Sequence, residues 1–349
     1  MSMQIPETLS RKMRNMALLC AFLVVVIHCR PRFETGSFAW WVKQFTEEGI
    51  TRVAVPYFFT ASGFVAAVKF DCGGYGSLVL KRVRTLLLPF AIWTTLFWLF
   101  IFACSCIVQR GINWELLSEM KDPIAFAKQL GFWPMGFPAL TPLWYVRALF
   151  FLTLTFSLLS GCVRKFGMVW IAALFALYAA RLVPADVAGW GTLREFAGFG
   201  LWPVEGLVYY SLGIWLCDHQ RYLEKGNVLV CVASLLVGLA LAGIKVPFLT
   251  TGLAVVGGAL RFLMVPFLLV GVWGLVPDWR LPSWIVTCSF AIYLIYKFIL
   301  HLLSHVWSTG GGLAKYFSMA LVAFAVSLAI AAAMHRFMPR ISAILFGGR

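Results

Sequence analysis

Of 349 residues, 61% are hydrophobic and 12% charged, with a mean hydropathy of +0.87 and a formal net charge of +15. A soluble chain keeps roughly a quarter of its residues charged. Apolar runs of about 20 residues recur throughout, so the composition excludes a soluble globular protein and implies an all-α, polytopic membrane protein in a lipid bilayer. The positive charge does not call for a nucleic-acid partner, because Lys and Arg cluster in short loops between apolar runs, the pattern of cytoplasmic positive charge. Nine cysteines are scattered mostly within those runs. Cys104 and Cys106 have neither metal-ligand nor redox spacing, so neither a metal site nor a disulfide framework is expected.

About ten spans can be drawn in chain order, near 13–29, 50–68, 84–108, 143–160, 167–183, 200–217, 227–244, 258–276, 284–303 and 315–337. The first begins with Arg11, Lys12 and Arg14 and ends at His28, Cys29 and Arg30 rather than at a small-x-small cleavage site, so it is expected to be a retained helix. Short-loop charge favours both termini inside. The whole chain, 1–349, is expected to be a single membrane-embedded domain. Its longest connections, about 30–50 and 109–142, contain "AWWVKQF" and "NWELLSEMKDPIAFAKQLGFW". Each is expected either to lie at the membrane interface with Trp at headgroup level or to cap an outer cavity.

Ionisable residues within apolar spans are costly and usually face a cavity or a partner. His28 ends span 1, Arg52 opens span 2, and Arg147 lies in span 4. Glu205 lies in span 6, Arg261 in span 8 and Lys297 in span 9. The alternating direction of the spans puts all six in the outer half. Arg52 or Arg261 alone has an equal claim to snorkel to the headgroups; taken as a set, the six predict a shared polar cavity.

A second cationic group, Lys81, Arg82 and Arg84 in "VLKRVRTLLLPF", precedes span 3 on the opposite side. It is either a positive-inside anchor or a grip for phosphate, which guanidinium matches bidentately. Arg14 and His28 are separated by about 21 Å of helical rise and lie within roughly 40° of one face. Ala17, Ala21 and Val24 occupy the stripe between them, and its small side chains suggest room for an extended pantetheine arm.

The motifs "LVVVIH", "RVAVPYFFTASGF", "LKRVRTLLLPFAIW", "TPLWYVRALFF" and "SFAIYLIY", in this order, resemble the acyltransferase 3 family. These are polytopic membrane enzymes that O-acylate cell-surface glycans and related substrates from acyl-CoA. The resemblance implies acetyl-CoA or another acyl-CoA as donor, no metal, a glycan or glycolipid acceptor, and a bacterial inner-membrane location. It implies a catalytic role for His28. It also places an Arg-x-x-Arg near span 3, where Arg82 matches the first position, Thr85 the second, and Arg84 is displaced by one. Ala17 stands where many relatives have arginine, with Arg14 a turn away, and Tyr296 stands where the span-9 motif commonly has histidine.

On this basis His28 is expected to act as a general base or as a covalent acyl carrier. Arg52 and Arg147 are expected to stabilise an oxyanion or orient the acceptor. Arg14, Lys81, Arg82 and Arg84 are candidates for donor binding. Glu205, Arg261 and Lys297, with Trp144 and Tyr145 stacking on sugar, are candidates for acceptor binding. The plainer alternatives are that Trp144 and Tyr145 are interfacial anchors, that Ser62 is a small residue at a helix crossing rather than a nucleophile, and that His219, His301, His305 and His335 are loop or span-end residues. A transporter of sugars or lipid-linked sugars also carries buried charges, but the inverted repeats expected of one are not evident. A non-enzymatic scaffold is the third class.

Overall fold

The structure is a computed structural model describing residues 5–29, 31, 33–110, 122, 140–180, 203–224, 226–250, 254–306 and 312–348. Among these, all regular structure is helical. The segment 113–133 lies outside the described residues apart from Asp122, as do Arg30, Lys225 and Arg349. In chain order the helices are α1 Glu7–His28, α2 Phe38–Glu48, α3 Ala54–Arg82, α4 Leu88–Gln109, α5 Trp144–Leu154, α6 Phe156–Phe166, α7 Met168–Ala180, α8 Val204–Asp218, α9 Val228–Phe248, α10 Ala254–Leu275, α11 Ser289–Val306, α12 Leu313–Phe337 and α13 Pro339–Leu345. Shorter helical turns, among them Ile50–Val53, join them.

Each of the ten apolar runs carries a helix. Among the described residues, five stretches are long and apolar enough to cross a membrane: Phe38–Asp71, Gly74–Val108, Val228–Phe248, Val256–Leu275 and Leu313–Phe337. A sixth is the pair α5 and α6, bent by 69°. The bend lies at Thr155, whose hydroxyl donates to the carbonyls of Phe151 and Leu152 and so diverts the backbone from a straight helix. Large apolar side chains such as Leu229, Leu236, Val270 and Leu321 face outward from these stretches, as a lipid environment requires.

Small residues decide how the helices cross. A Cβ on Gly63 of α3 would sit 2.1 Å from the Tyr210 carbonyl oxygen of α8, and one on Gly213 would sit 1.9 Å from that of Thr60. Only hydrogen fits at either point, so the two backbones touch. Ser62, beside this crossing, pairs its hydroxyl with that of Tyr145 at 3.2 Å. Other close partners are α9 with α10, α11 with α12, and α1 with α11. At the start of α1, the Asn15 amide donates to the carbonyls of Pro277 and Trp279 at 2.9 and 3.0 Å. At its other end the chain leaves the helix at Cys29, which is extended two residues before Pro31.

Candidate functional site

That break leaves His28 as the last residue of α1, on the wall of a cavity of about 1060 Å³. Its Nδ1 lies 2.8 Å from the Val24 carbonyl oxygen and 3.1 Å from the Tyr296 hydroxyl. A carbonyl only accepts, so the Val24 contact is a hydrogen bond in the form of the ring that carries a proton on Nδ1, which in the neutral imidazole leaves the basic lone pair on Nε2. Tyr296 is fully buried on α11.

Helix α2 closes one side of the cavity. Ser37 caps it, accepting from the Trp40 amide at 3.1 Å, and Trp40, Lys43, Gln44, Glu47 and Glu48 all line the space. Trp40, Lys43 and Gln44 of "AWWVKQF" are thus on the cavity wall. The helical turn Ile50–Val53 then folds Arg52 back onto Glu48, with which it forms an ion pair. The opposite carboxylate oxygen of Glu48 takes Lys245 of α9 at 2.8 Å, and Lys245 is only 3% exposed. Near this group, Arg261 of α10 meets Glu205 of α8 at 3.4 Å. Lys43 and Glu47 pair at 3.2 Å within α2.

Aromatic rings complete the walls: Trp40, Trp144, Tyr145, Tyr178, Phe262 and Tyr293. Tyr145 packs edge-on against Phe59 at 4.7 Å and is largely buried, so it belongs to the protein interior rather than to a lipid-facing belt. Tyr293 donates to the Pro142 carbonyl, tying α11 to the start of α5.

Of the six ionisable groups expected to share one cavity, His28, Arg52, Glu205 and Arg261 line it. Arg147 and Lys297 do not. Arg147 is buried and shares a face of α5 with Trp144 to within about 60°, but lies about 4.5 Å further along the helix. Lys297 lies one turn beyond Tyr293, about 6 Å further along α11. Membership of an apolar span does not set depth.

The second cationic group divides likewise. Lys81 and Arg82, with Lys69, Thr85, Gly347 and Gly348, line a separate pocket of about 150 Å³. Arg84 and Arg14 are exposed and are not part of that wall. The stripe from Arg14 to His28 is not an open groove along its length: Val24 lines the cavity, but Ala21 below it is fully buried. Small side chains there have drawn neighbouring helices close instead of leaving room for a ligand.

Sequence reasoning did not single out Glu48, Lys245 or Tyr296 as parts of this site. Lys245 in "LAGIKVPF" carried the same signal as Arg261, a lone cation in an apolar run, but stood one residue past the drawn span. Glu48 lies in the connection of about 30–50, outside the drawn spans, where a charge is unremarkable.

A family model described as an acyltransferase domain (Acyl_transf_3) matches residues 16–336. The chain is also similar to the succinoglycan biosynthesis protein ExoH of Rhizobium meliloti (strain 1021), with 24% identity over 332 residues, covering 88% of this chain and 82% of that protein. No solved structure matches it. A match over nearly all of the helical body, on a chain built from apolar helices, identifies it as a member of the acyltransferase 3 family.

Proposed function

We propose that this protein is a membrane O-acyltransferase that moves an acyl group, acetyl in the simplest case, from acyl-CoA to a hydroxyl of a cell-surface glycan or glycolipid precursor. The observation that carries this is His28: an imidazole whose Nδ1 is held by the Val24 carbonyl, on the wall of a cavity of about 1060 Å³ lined by ion pairs and aromatic rings. With the proton on Nδ1, Nε2 takes the hydroxyl proton as the acceptor oxygen attacks the thioester carbonyl. The thiolate of CoA leaves and is protonated. General-base assistance of this kind is typically worth 10²–10⁴ in rate. Arg52 orients the acceptor through its charge, and Trp144 and Tyr145 offer faces to a sugar ring.

The relative's name, a succinoglycan biosynthesis protein, supports a polysaccharide acceptor. Density of basic residues in the short loops supports ten spans with both termini on the cytoplasmic side of a bacterial inner membrane. In that orientation Lys81 and Arg82 face the cytosol and grip the phosphates of CoA. Because the α1 stripe is packed at Ala21, delivery of the acyl group requires the helices around it to part when the donor binds.

The test uses purified protein in lipid nanodiscs with labelled acetyl-CoA and an acceptor oligosaccharide. Wild type is expected to transfer label, and His28→Ala is expected to lose transfer while staying folded and inserted. Transfer by His28→Ala at the wild-type rate would overturn the assignment of His28. Absence of transfer or hydrolysis by wild type with any acyl-CoA would overturn the donor.

A further inference from the structure

Building on the acyltransferase reading, we propose that Arg52 and Arg261 form a subsite for an anionic substituent of the acceptor, a carboxylate or a phosphate. The first observation is charge. Glu48 holds Arg52 and Lys245, and Glu205 holds Arg261. Three cations set against two carboxylates leave this corner with a formal excess of one positive charge, and the three cations repel one another. Lys43 and Glu47 form a separate, balanced pair. An uncompensated charge within a membrane-embedded interior is costly, and a single monoanion entering the cavity balances it.

The second observation is the unused donors. Among the described residues, each guanidinium bonds its carboxylate through Nη2 alone, and Arg261 does so at a long 3.4 Å. Neither Nη1 has a hydrogen-bond partner, and neither is enclosed, whereas both Nε atoms are enclosed and unpartnered. Both side chains line the large cavity. Two guanidinium edges, held from behind by carboxylates, match the oxygens of a carboxylate or phosphate. Lys245, 3% exposed, adds charge without making contact.

The third observation is position. Arg261 comes from α10, which packs on α9, whereas His28 comes from α1, which packs on α11. They stand on walls contributed by different helix pairs, and Tyr178 and Phe262 line the cavity with Arg261. An acceptor anchored there by its anion lays a sugar ring against these aromatics and extends a hydroxyl toward His28.

The experiment compares kcat/KM for three acceptors in the nanodisc assay: a uronate-bearing oligosaccharide, the same oligosaccharide with its carboxyl reduced, and the reduced sugar on a polyprenyl diphosphate. Preference of wild type for the uronate over its reduced form assigns the subsite to a carboxylate. Preference for the diphosphate-linked sugar over the free reduced one assigns it to a phosphate. In either case Arg261→Gln is expected to lower that preference ratio about 10- to 100-fold, the range of a lost charge-assisted hydrogen bond. Wild type with no preference for either anion would overturn the proposal whether or not the variant folds, and so would a ratio unchanged in Arg261→Gln, which is what an oxyanion-stabilising role alone produces. Transfer that persists without anion preference leaves the acyltransferase reading intact; absence of transfer to all three acceptors counts against that reading.

Discussion

The hydroxyl oxygen of Tyr296 lies 3.1 Å from Nδ1 of His28, across the contact between α11 and α1. It is fully buried. Together with the Val24 carbonyl it bounds the nitrogen opposite the proposed base. Tyr296→Phe keeps the ring and removes this contact. Its turnover is expected to fall roughly 3- to 10-fold, the worth of one ordinary hydrogen bond, with acceptor KM nearly unchanged. Wild-type turnover in this variant would remove Tyr296 from any part in positioning His28.

Glu48 holds two cations from different parts of the chain, Arg52 and Lys245. Removing the shared anion leaves Lys245 buried without its partner, a change that typically costs about 3–5 kcal/mol. Removing Lys245 leaves the Glu48–Arg52 pair in place. Thermal unfolding in detergent should therefore show a larger loss for Glu48→Gln than for Lys245→Met, and the double variant should lose less than the sum. Equal losses that add would show the three groups to be independent.

The crossing of α3 and α8 has no room for a methyl group at Gly63, where a Cβ would sit 2.1 Å from the Tyr210 carbonyl oxygen. Both atoms belong to packed backbones, so Gly63→Ala must push the helices apart, at a cost of about 1–3 kcal/mol or more. Lower yield of monodisperse protein and a reduced unfolding temperature are expected. A variant as stable as wild type would mean that the helices do not meet at this point.

Among the basic residues preceding α4, Arg82 is buried and lines the small pocket, whereas Arg84 is exposed outside it. Arg82→Ala is therefore expected to raise KM for acyl-CoA about tenfold, as loss of a charge-assisted contact does, and Arg84→Ala is expected to raise it much less. Steady-state kinetics with acyl-CoA varied would decide this. A larger effect from Arg84 would assign the donor phosphates to the exposed surface rather than to the pocket.

What the amino-acid sequence determined by itself was the solvent in which the chain folds and the places where that solvent is violated. With 61% hydrophobic and 12% charged residues, a membrane setting and helices followed from the need to satisfy backbone hydrogen bonds internally. The ionisable groups inside apolar runs were visible as exceptions, and His28, Arg52, Glu205 and Arg261 do meet at one cavity. Which charges pair, and which face away, was decided only in three dimensions. Arg147 and Lys297 lie off the cavity wall because of their depth along α5 and α11, which apolarity does not encode. Glu48 and Lys245, 197 residues apart, pair because α2 packs against α9, and only tertiary packing places residues so distant in the chain side by side. The same holds for the stripe along α1: its small residues are plain in the sequence, but whether they admit a ligand or a neighbouring helix depends on what packs there, and at Ala21 it is protein.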